Sequence, residues 1–436
     1  MQRLRSALSW VGLIVLAGWA IASLGMSIWN TFTPLGGNDL YTYWYAGLFI
    51  RQGEDPYAAF LARQEPELPI TFLDGKADST EDVKIPDLVP APANTYPLIY
   101  ILTIFSFLTW PAAKVAWLAC NLVLVLLIPV FLVRLLLYRQ SLDRRITIGL
   151  ALVFIGFTST RYALSSGQLS FLVFGLMLAS TLLVDEHPWF AGILMGIALS
   201  KYSLALGFFL YFLLFERRFR MSLVAILVQI GGAAFLAWTS QTSILQVLQG
   251  YQILFEHHAR MEGIQLSALL STGGSNPPLS AGFTLLVGLF LIRYALKNPV
   301  SLKADPLVRL YFLTTLLLWS LLVGYHRAYD ALTFILFIGL AVSIVNDLKV
   351  KSHPWWLCPT WKFFAFLSAG VMLLPAGNLV RSALPEEVGP FWTTLVSKST
   401  SVILLVALGL CIYSFMTWLG ENGMRVRLLA AREHID

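Results

Sequence analysis

Residues 190–215 read "FAGILMGIALSKYSLALGFFLYFLLF", an apolar run broken by one cation, Lys201, near its middle. As a single helix the run would measure about 39 Å at 1.5 Å per residue. The hydrocarbon core of a bilayer is about 30 Å thick. The run is therefore either one long helix that buries Lys201 or two short crossings that turn near it. The choice fixes which side of the membrane every later loop occupies.

Basic residues mark the cytoplasmic side. On that rule Arg3 and Arg5 are inside, and so is the cluster Arg134, Arg139, Arg144 and Arg145. The segment from Asn30 to Thr95 is then outside, and its ten acidic residues against four basic ones suit that side. Two crossings after Arg145 bring the chain to "DEHPW" (Asp185 to Trp189), inside. The next basic cluster, "ERRFR" (Glu216 to Arg220), is also expected inside. The run between them must leave and return, so a turn near Lys201 is expected. The resulting topology has twelve crossings and both termini inside, and "RVR" at Arg425 to Arg427 agrees.

Composition supports a membrane class. The 436 residues are 57% hydrophobic and 12% charged, with a mean hydropathy of +0.72. Soluble domains average about 25% charged residues. The net charge of +6 is spread over short loops, so no nucleic-acid partner is expected. Three cysteines, Cys120, Cys358 and Cys411, form no disulfide framework or zinc spacing. The basic start "MQRLR" precedes a run too long for a signal-peptide core, so it reads as an uncleaved anchor.

The other expected crossings are Leu8 to Asn30, Ala112 to Tyr138, Ile146 to Tyr162, Leu169 to Val184, Met221 to Trp238, Leu279 to Leu296, Leu307 to Tyr325, Ala331 to Val345, Trp361 to Val380 and Ser399 to Leu419. Tyr96 to Trp110 is apolar but short, and Pro111 stops it, so it should lie in the outer interface or re-enter. The outer face then collects Asn30 to Thr95, Arg161 to Ser170, Lys201, a loop from Thr239 to Pro278, Tyr325 to Asp330, and Arg381 to Pro390. The chain reads as one integral membrane domain, residues 1–436. Within it lie a first extracytoplasmic loop (31–96), a helical core (97–345) and C-terminal helices (346–436).

Several motifs occur in a set order. "NDLYTYWYAGLFIRQGEDPY" (Asn38 to Tyr57) is followed by Tyr96-Pro97, then "GQLSFLVFGLMLAS" (Gly167 to Ser180). After these come the Gly-rich run with Lys201 and its basic end, "GIQLSALL" (Gly263 to Leu270) and "HRAYD" (His326 to Asp330). Together they resemble glycosyltransferase family 87, whose members use polyprenol-phosphate-mannose. The chain has Tyr-Pro-Leu where the family often has Tyr-Pro-Pro, and Glu65 to Ala93 reads as an insertion. The resemblance implies an all-α polytopic GT-C glycosyltransferase fold in the plasma membrane. It implies transfer of a hexose, by default mannose, from a polyprenyl-phosphate sugar to a lipid or glycan acceptor on the extracytoplasmic face. The implied partners are membrane lipids, that donor and that acceptor; no cofactor is expected beyond the donor. Composition alone also fits a lipid or sugar transporter, or a non-catalytic assembly subunit with the same fold.

Such a transfer needs a base for the acceptor hydroxyl, cations for the departing phosphate and a groove for the isoprenoid. By the resemblance Asp39 is the base; by residue type alone it suits helix capping, and Asn38 could cap instead. A helix N-terminus lowers a carboxylate's basicity, so a base there depends on local burial. The phosphate candidates are Lys201, Arg161, His326 and Arg327, since ionisable residues near membrane depth are costly. Lys201 also suits snorkelling, His326 a hydrogen bond to Asp330, and the two arginines helix flanks. Gln168 is a candidate donor to sugar or backbone, with Gly167 allowing its turn. Tyr43 and Tyr45 suit either stacking on a sugar or an interfacial belt. Glu54 and Asp55 lack the spacing to make a metal site with Asp39, and His257 and His258 lack a third ligand, so no metal is expected.

Overall fold

The computed structural model describes residues 2–33, 36–62, 94–137, 143–259, 264, 277–297, 306–324, 326–350, 357–373 and 398–413. The insertion at 65–93, most of the Gln-Ser element at 263–270, the outer loop at 381–390 and the basic residues at 425–427 lie outside them. So do Arg139, Tyr325 and the side chains of His257, His258 and Cys358.

Every regular element among the described residues is helical. In chain order the α-helices are α1 (Gln2–Thr31), α2 (Asn38–Arg51), α3 (Pro56–Ala62), α4 (Tyr96–Thr103), α5 (Trp110–Leu137), α6 (Arg144–Gly156), α7 (Thr158–Ser166), α8 (Ser170–Leu183) and α9 (Pro188–Ala198). They continue as α10 (Tyr202–Leu210), α11 (Phe219–Thr239), α12 (Ile244–Ala259), α13 (Pro277–Lys297), α14 (Pro306–Val323), α15 (Ile335–Val350), α16 (Leu357–Leu373) and α17 (Ser399–Tyr413). Tighter 3₁₀ turns occupy Ile104–Phe107, Leu199–Lys201 and Ala328–Phe334, and a π-helix extends α10 over Tyr211–Phe215. The expected outer loop from Thr239 to Pro278 contains helix α12.

The stretch from Pro188 to Phe215 folds back on itself. A straight helix of its 28 residues would hold its ends about 42 Å apart. Instead both ends meet at Arg309. Its Nη1 donates to Asp185 Oδ2 at 2.9 Å, and its Nε to Glu216 Oε1 at 2.6 Å. The α9 leg also runs parallel to α11. Gly192 faces Met221 and Val224, Gly196 faces Ala225 and Val228, and Gln229 Nε2 bonds the Gly196 carbonyl at 2.5 Å. The four-residue spacing of Gly192 and Gly196 removes side chains from one helix face, as in close membrane helix pairs. A Cβ on Gly192 would lie 2.6 Å from Val224 Cβ.

The turn at Leu199–Lys201 is thus present, at a different depth from that expected. It stands level with Gln229, near the middle of α11, and α11 continues about 15 Å beyond it. The α9 leg of 11 residues measures about 16 Å, too short to cross a 30 Å core. The hairpin is a re-entrant pair rather than two crossings. Among the described residues five helices are long and apolar enough to cross a membrane, six if α6 and α7, bent by 53°, form one span. One of the five is the folded-back stretch itself. Shorter apolar helices, including α8, α14 and α17, pack in the same bundle. The protein is a multi-pass membrane protein.

Two ends of the bundle are distinct. One carries Arg144, Asp185, Glu216, Arg218 and Arg309; the other carries the end of α1, the start of α5 and the end of α11. At the second end α2, α3 and α4 pack over the bundle. Tyr96 to Phe107 is α4 and its 3₁₀ extension, a short segment, and α4 docks on α11 where Pro97 fills the space beside Gly232. Its entry is pinned to the hairpin turn by Thr95 N–H to the Ser200 carbonyl at 2.9 Å and Leu98 N–H to Ser200 Oγ at 3.2 Å.

Candidate active site

Helix α2 starts without a side-chain cap. Gly37 takes the cap position with φ +77°, a conformation that glycine adopts freely. Its N–H donates to the Ser165 carbonyl at 2.8 Å, which docks the start of α2 on the turn between α7 and α8. That turn is closed by Gly167 at φ +72°, the usual left-handed end of a helix. A Cβ there would meet Leu40 Cβ at 2.9 Å, and Trp117 Nε1 donates to the Gly167 carbonyl at 2.8 Å. Two glycines therefore bring Asp39 against Ser166 and Gln168, and neither Asn38 nor Asp39 is used as a cap.

The Gln168 and Ser166 side chains lie beside the Asp39 carboxylate and favour its charged form, while the Ser166 hydroxyl donates to the Tyr162 carbonyl at 2.8 Å. The residue is partly open at its surface, but its carboxyl is enclosed by protein. Desolvation raises its pKa above 3.8, against the opposing effects of Gln168, Arg327, Ser166 and Lys201. Burial therefore outweighs these polar and cationic neighbours. Buried Tyr43 feels the charges of Asp39, Asp330 and Arg327, and its hydroxyl receives a hydrogen bond from the Asn94 amide.

The second half of the site is centred on Asp330, whose side chain is 3% exposed. Its Oδ1 accepts from Lys201 Nζ and from Ser170 Oγ, the latter at 2.6 Å; Oδ2 is 3.0 Å from His326 Nδ1. Lys201 Nζ is also 2.9 Å from Ser170 Oγ and 5.1 Å from the Tyr329 ring centre. His326 is fully buried, and its Nε2 donates to the Ser203 carbonyl at 3.1 Å. This site lies inside the bundle. Trp117, which holds the Gly167 turn, is seven residues or about 10 Å below the start of α5.

Of the residues singled out in the sequence, Asp39, Gln168, Arg327, Tyr43, Lys201 and His326 gather here. Two do not. Arg161 turns toward α1, with its guanidinium 3.9 Å from the Met26 sulfur and 5.5 Å from the Tyr162 ring. Tyr45 packs against Phe49 and Phe60, at 5.4 and 5.8 Å between ring centres. Lys201 reaches the site already engaged with Asp330 and Ser170. Ser166, Ser170 and Asn94 were not singled out; the serines flank the Gly167-Gln168 pair, the one sequence signal for them. No group of three His, Cys, Asp or Glu side chains poised for a metal occurs among the described residues.

A carboxylate of raised pKa beside an arginine, in a recess of a membrane bundle, suits proton abstraction next to a developing negative charge. No curated protein and no solved structure matches the chain significantly. The model of glycosyltransferase family 87 matches residues 94–344, more than half of the chain, and so covers the hairpin, Gln168, Lys201, His326 and Asp330. Asp39 precedes the matched region and is brought to it by the fold. The chain belongs to glycosyltransferase family 87 and is a membrane glycosyltransferase.

Proposed function

We propose that the protein transfers a hexose, by default mannose, from a polyprenyl-phosphate sugar to a lipid or glycan acceptor, with inversion. The observation that carries this reading is the enclosed Asp39 carboxyl with the Arg327 charge acting on it, in a recess below the start of α5 and the end of α11. Asp39 takes the proton of the acceptor hydroxyl as its oxygen attacks the anomeric carbon. The bond from that carbon to the phosphate oxygen breaks on the opposite face, and the electron pair leaves with the phosphate. A β-linked donor then gives an α-glycoside.

Arg327 neutralises the leaving phosphate, and a bidentate guanidinium suits phosphate geometry. Gln168 and Ser166 aim the carboxylate. Tyr43 and Tyr329 lie near Asp39, Asp330 and Arg327 and supply hydroxyls to a sugar. The apolar outer faces of the bundle suit the isoprenoid tail. With the basic end of the bundle taken as cytoplasmic, the reading puts the transfer on the extracytoplasmic side of the plasma membrane. The reading invokes no metal and no cofactor.

The test is transfer itself. Purified protein in lipid nanodiscs is given radiolabelled polyprenyl-phosphate mannose with an extract of membrane lipids and glycans as acceptor, and the product anomer is read by linkage-specific glycosidases. An α-linked product supports the reading. Absence of transfer from mannose and other polyprenyl-linked hexoses defeats it.

A further inference from the structure

We propose that Lys201, Asp330, Ser170 and His326 form a positioning lock that keeps Arg327 on the Asp39 side of the recess, and that Lys201 is not itself a ligand of the donor phosphate. The inference rests on the proposed transfer reaction and assigns roles within it.

Lys201 and Ser203 belong to the hairpin turn and the first turn of α10; His326 and Asp330 belong to the segment between α14 and α15. His326 binds the Ser203 carbonyl, and Asp330 binds Lys201. The two ends of a five-residue segment are thus tied to two points close together on the hairpin. Arg327 lies between those ties. Its backbone is fixed further by Asp330 N–H, which donates to the Arg327 carbonyl at 3.0 Å, and by Ile264 N–H, which donates to the His326 carbonyl at 2.8 Å. Gly324 makes room for the imidazole, since a Cβ there would lie 3.1 Å from His326 Nε2.

The chemistry of Lys201 points the same way. An ammonium has three N–H donors. One bonds Asp330, one is directed at Ser170, and the Tyr329 ring covers the group. The side chain is 11% exposed. Its charge is balanced at contact distance by Asp330. A phosphate that reached Lys201 would compete with a buried carboxylate already in place. Asp330 in turn is a buried carboxylate that Lys201 and Ser170 hold through Oδ1, with the His326 ring against Oδ2, so it is a poor second base.

Kinetics and ligand binding separate lock from ligand. Asp330→Asn, Lys201→Met and the double variant Lys201→Met/Asp330→Leu are compared with Arg327→Met. Each is measured for kcat, donor KM and binding of a short-chain polyprenyl phosphate. For a lock, the Lys201 and Asp330 variants lose about tenfold or more in kcat with donor KM within about twofold of wild type. The double variant is then no worse than the worse single one, because the residues act as a unit. Arg327→Met raises KM and weakens polyprenyl-phosphate binding about tenfold or more. Lys201→Met weakening that binding as much as Arg327→Met, with Asp330→Asn leaving it intact, overturns the lock. If the charged variants are not monodisperse, Ser170→Ala removes one hydroxyl and is expected to lower kcat about threefold with KM unchanged; unchanged kcat overturns the lock there. Wild-type protein that neither binds polyprenyl phosphate nor transfers a hexose defeats the proposed function instead.

Discussion

Arg309 holds Glu216 through two nitrogens, Nε at 2.6 Å and Nη2 at 2.9 Å, and the Glu216 side chain is fully buried. The pair closes the base of the hairpin, where Arg218 also reaches Glu216 and Asp185. Breaking a buried pair costs about 3–5 kcal/mol, and without Arg309 the buried Glu216 keeps only the part-exposed Arg218, which puts the loss at the low end. Arg309→Met is therefore expected to lower stability by about 3 kcal/mol, read as a lower melting temperature in detergent. Asp185→Ala should cost about 1 kcal/mol or less, because its side chain is 41% exposed. Equal losses for the two variants would mean that the hairpin is not closed at Glu216.

The contact between α9 and α11 makes a second prediction. A Cβ at Gly196 would lie 2.6 Å from Val228 Cβ and 3.0 Å from the Ala225 carbonyl oxygen. Backbone cannot swing aside as a side-chain tip can, so Gly196→Ala must separate the helices. Overpacking of this kind costs about 1–3 kcal/mol. Gly231, also on α11, has open space where a Cβ would stand, with nothing within 4 Å, and Gly231→Ala is the control. Melting curves that drop for Gly196→Ala and not for Gly231→Ala support the close parallel packing; the reverse order contradicts it.

The turn at Lys201 was legible because loop charge is a signal of sidedness. Asp185 and Glu216 flank an apolar run, with arginines beside the second, and an even number of passes must join them. The depth of the turn was not legible, because charge reports on which side a loop lies and not how far a hairpin reaches. Depth is set by the pairing of Gly192 and Gly196 with α11 and by Ser200 meeting Thr95 and Leu98. Arg161 and Arg327 look alike in sequence, each close to an aromatic residue near a helix end. Only the packing of α7 on α1 turns one toward Met26, while the ties at His326 and Asp330 hold the other near Asp39.

Sidedness is tested by cysteine labelling in a cysteine-free background. Glu54 is exposed in the turn after α2, and Glu186 is exposed at the basic end of the bundle. An impermeant maleimide is expected to label Glu54→Cys in intact cells and Glu186→Cys only after permeabilisation. The opposite pattern inverts the topology and moves the recess to the cytoplasmic side.

Asp39 governs the last prediction, which concerns pH. The base works ionised, so turnover falls as pH drops through its pKa. Burial raises that pKa above 3.8, so the acid limb of kcat/KM lies above the ordinary carboxylate value. Gln168, Arg327, Ser166 and Lys201 each favour the ionised form and hold the limb down. Arg327→Met removes one of these cations, so its acid limb must move to higher pH, in addition to any change in donor KM. Gln168→Leu must move it in the same direction, since it deletes the polar neighbour that most opposes burial. Asp39→Asn has no such group to titrate and is expected to lose turnover by about a thousandfold, within the usual range for a general base, while still binding polyprenyl phosphate. The measurement is a pH–rate profile for wild type and the two neighbouring variants, on protein whose folding at each pH is checked by fluorescence. A limb that stays in place, or moves to lower pH, in both variants would mean that the titrating base is a group other than Asp39.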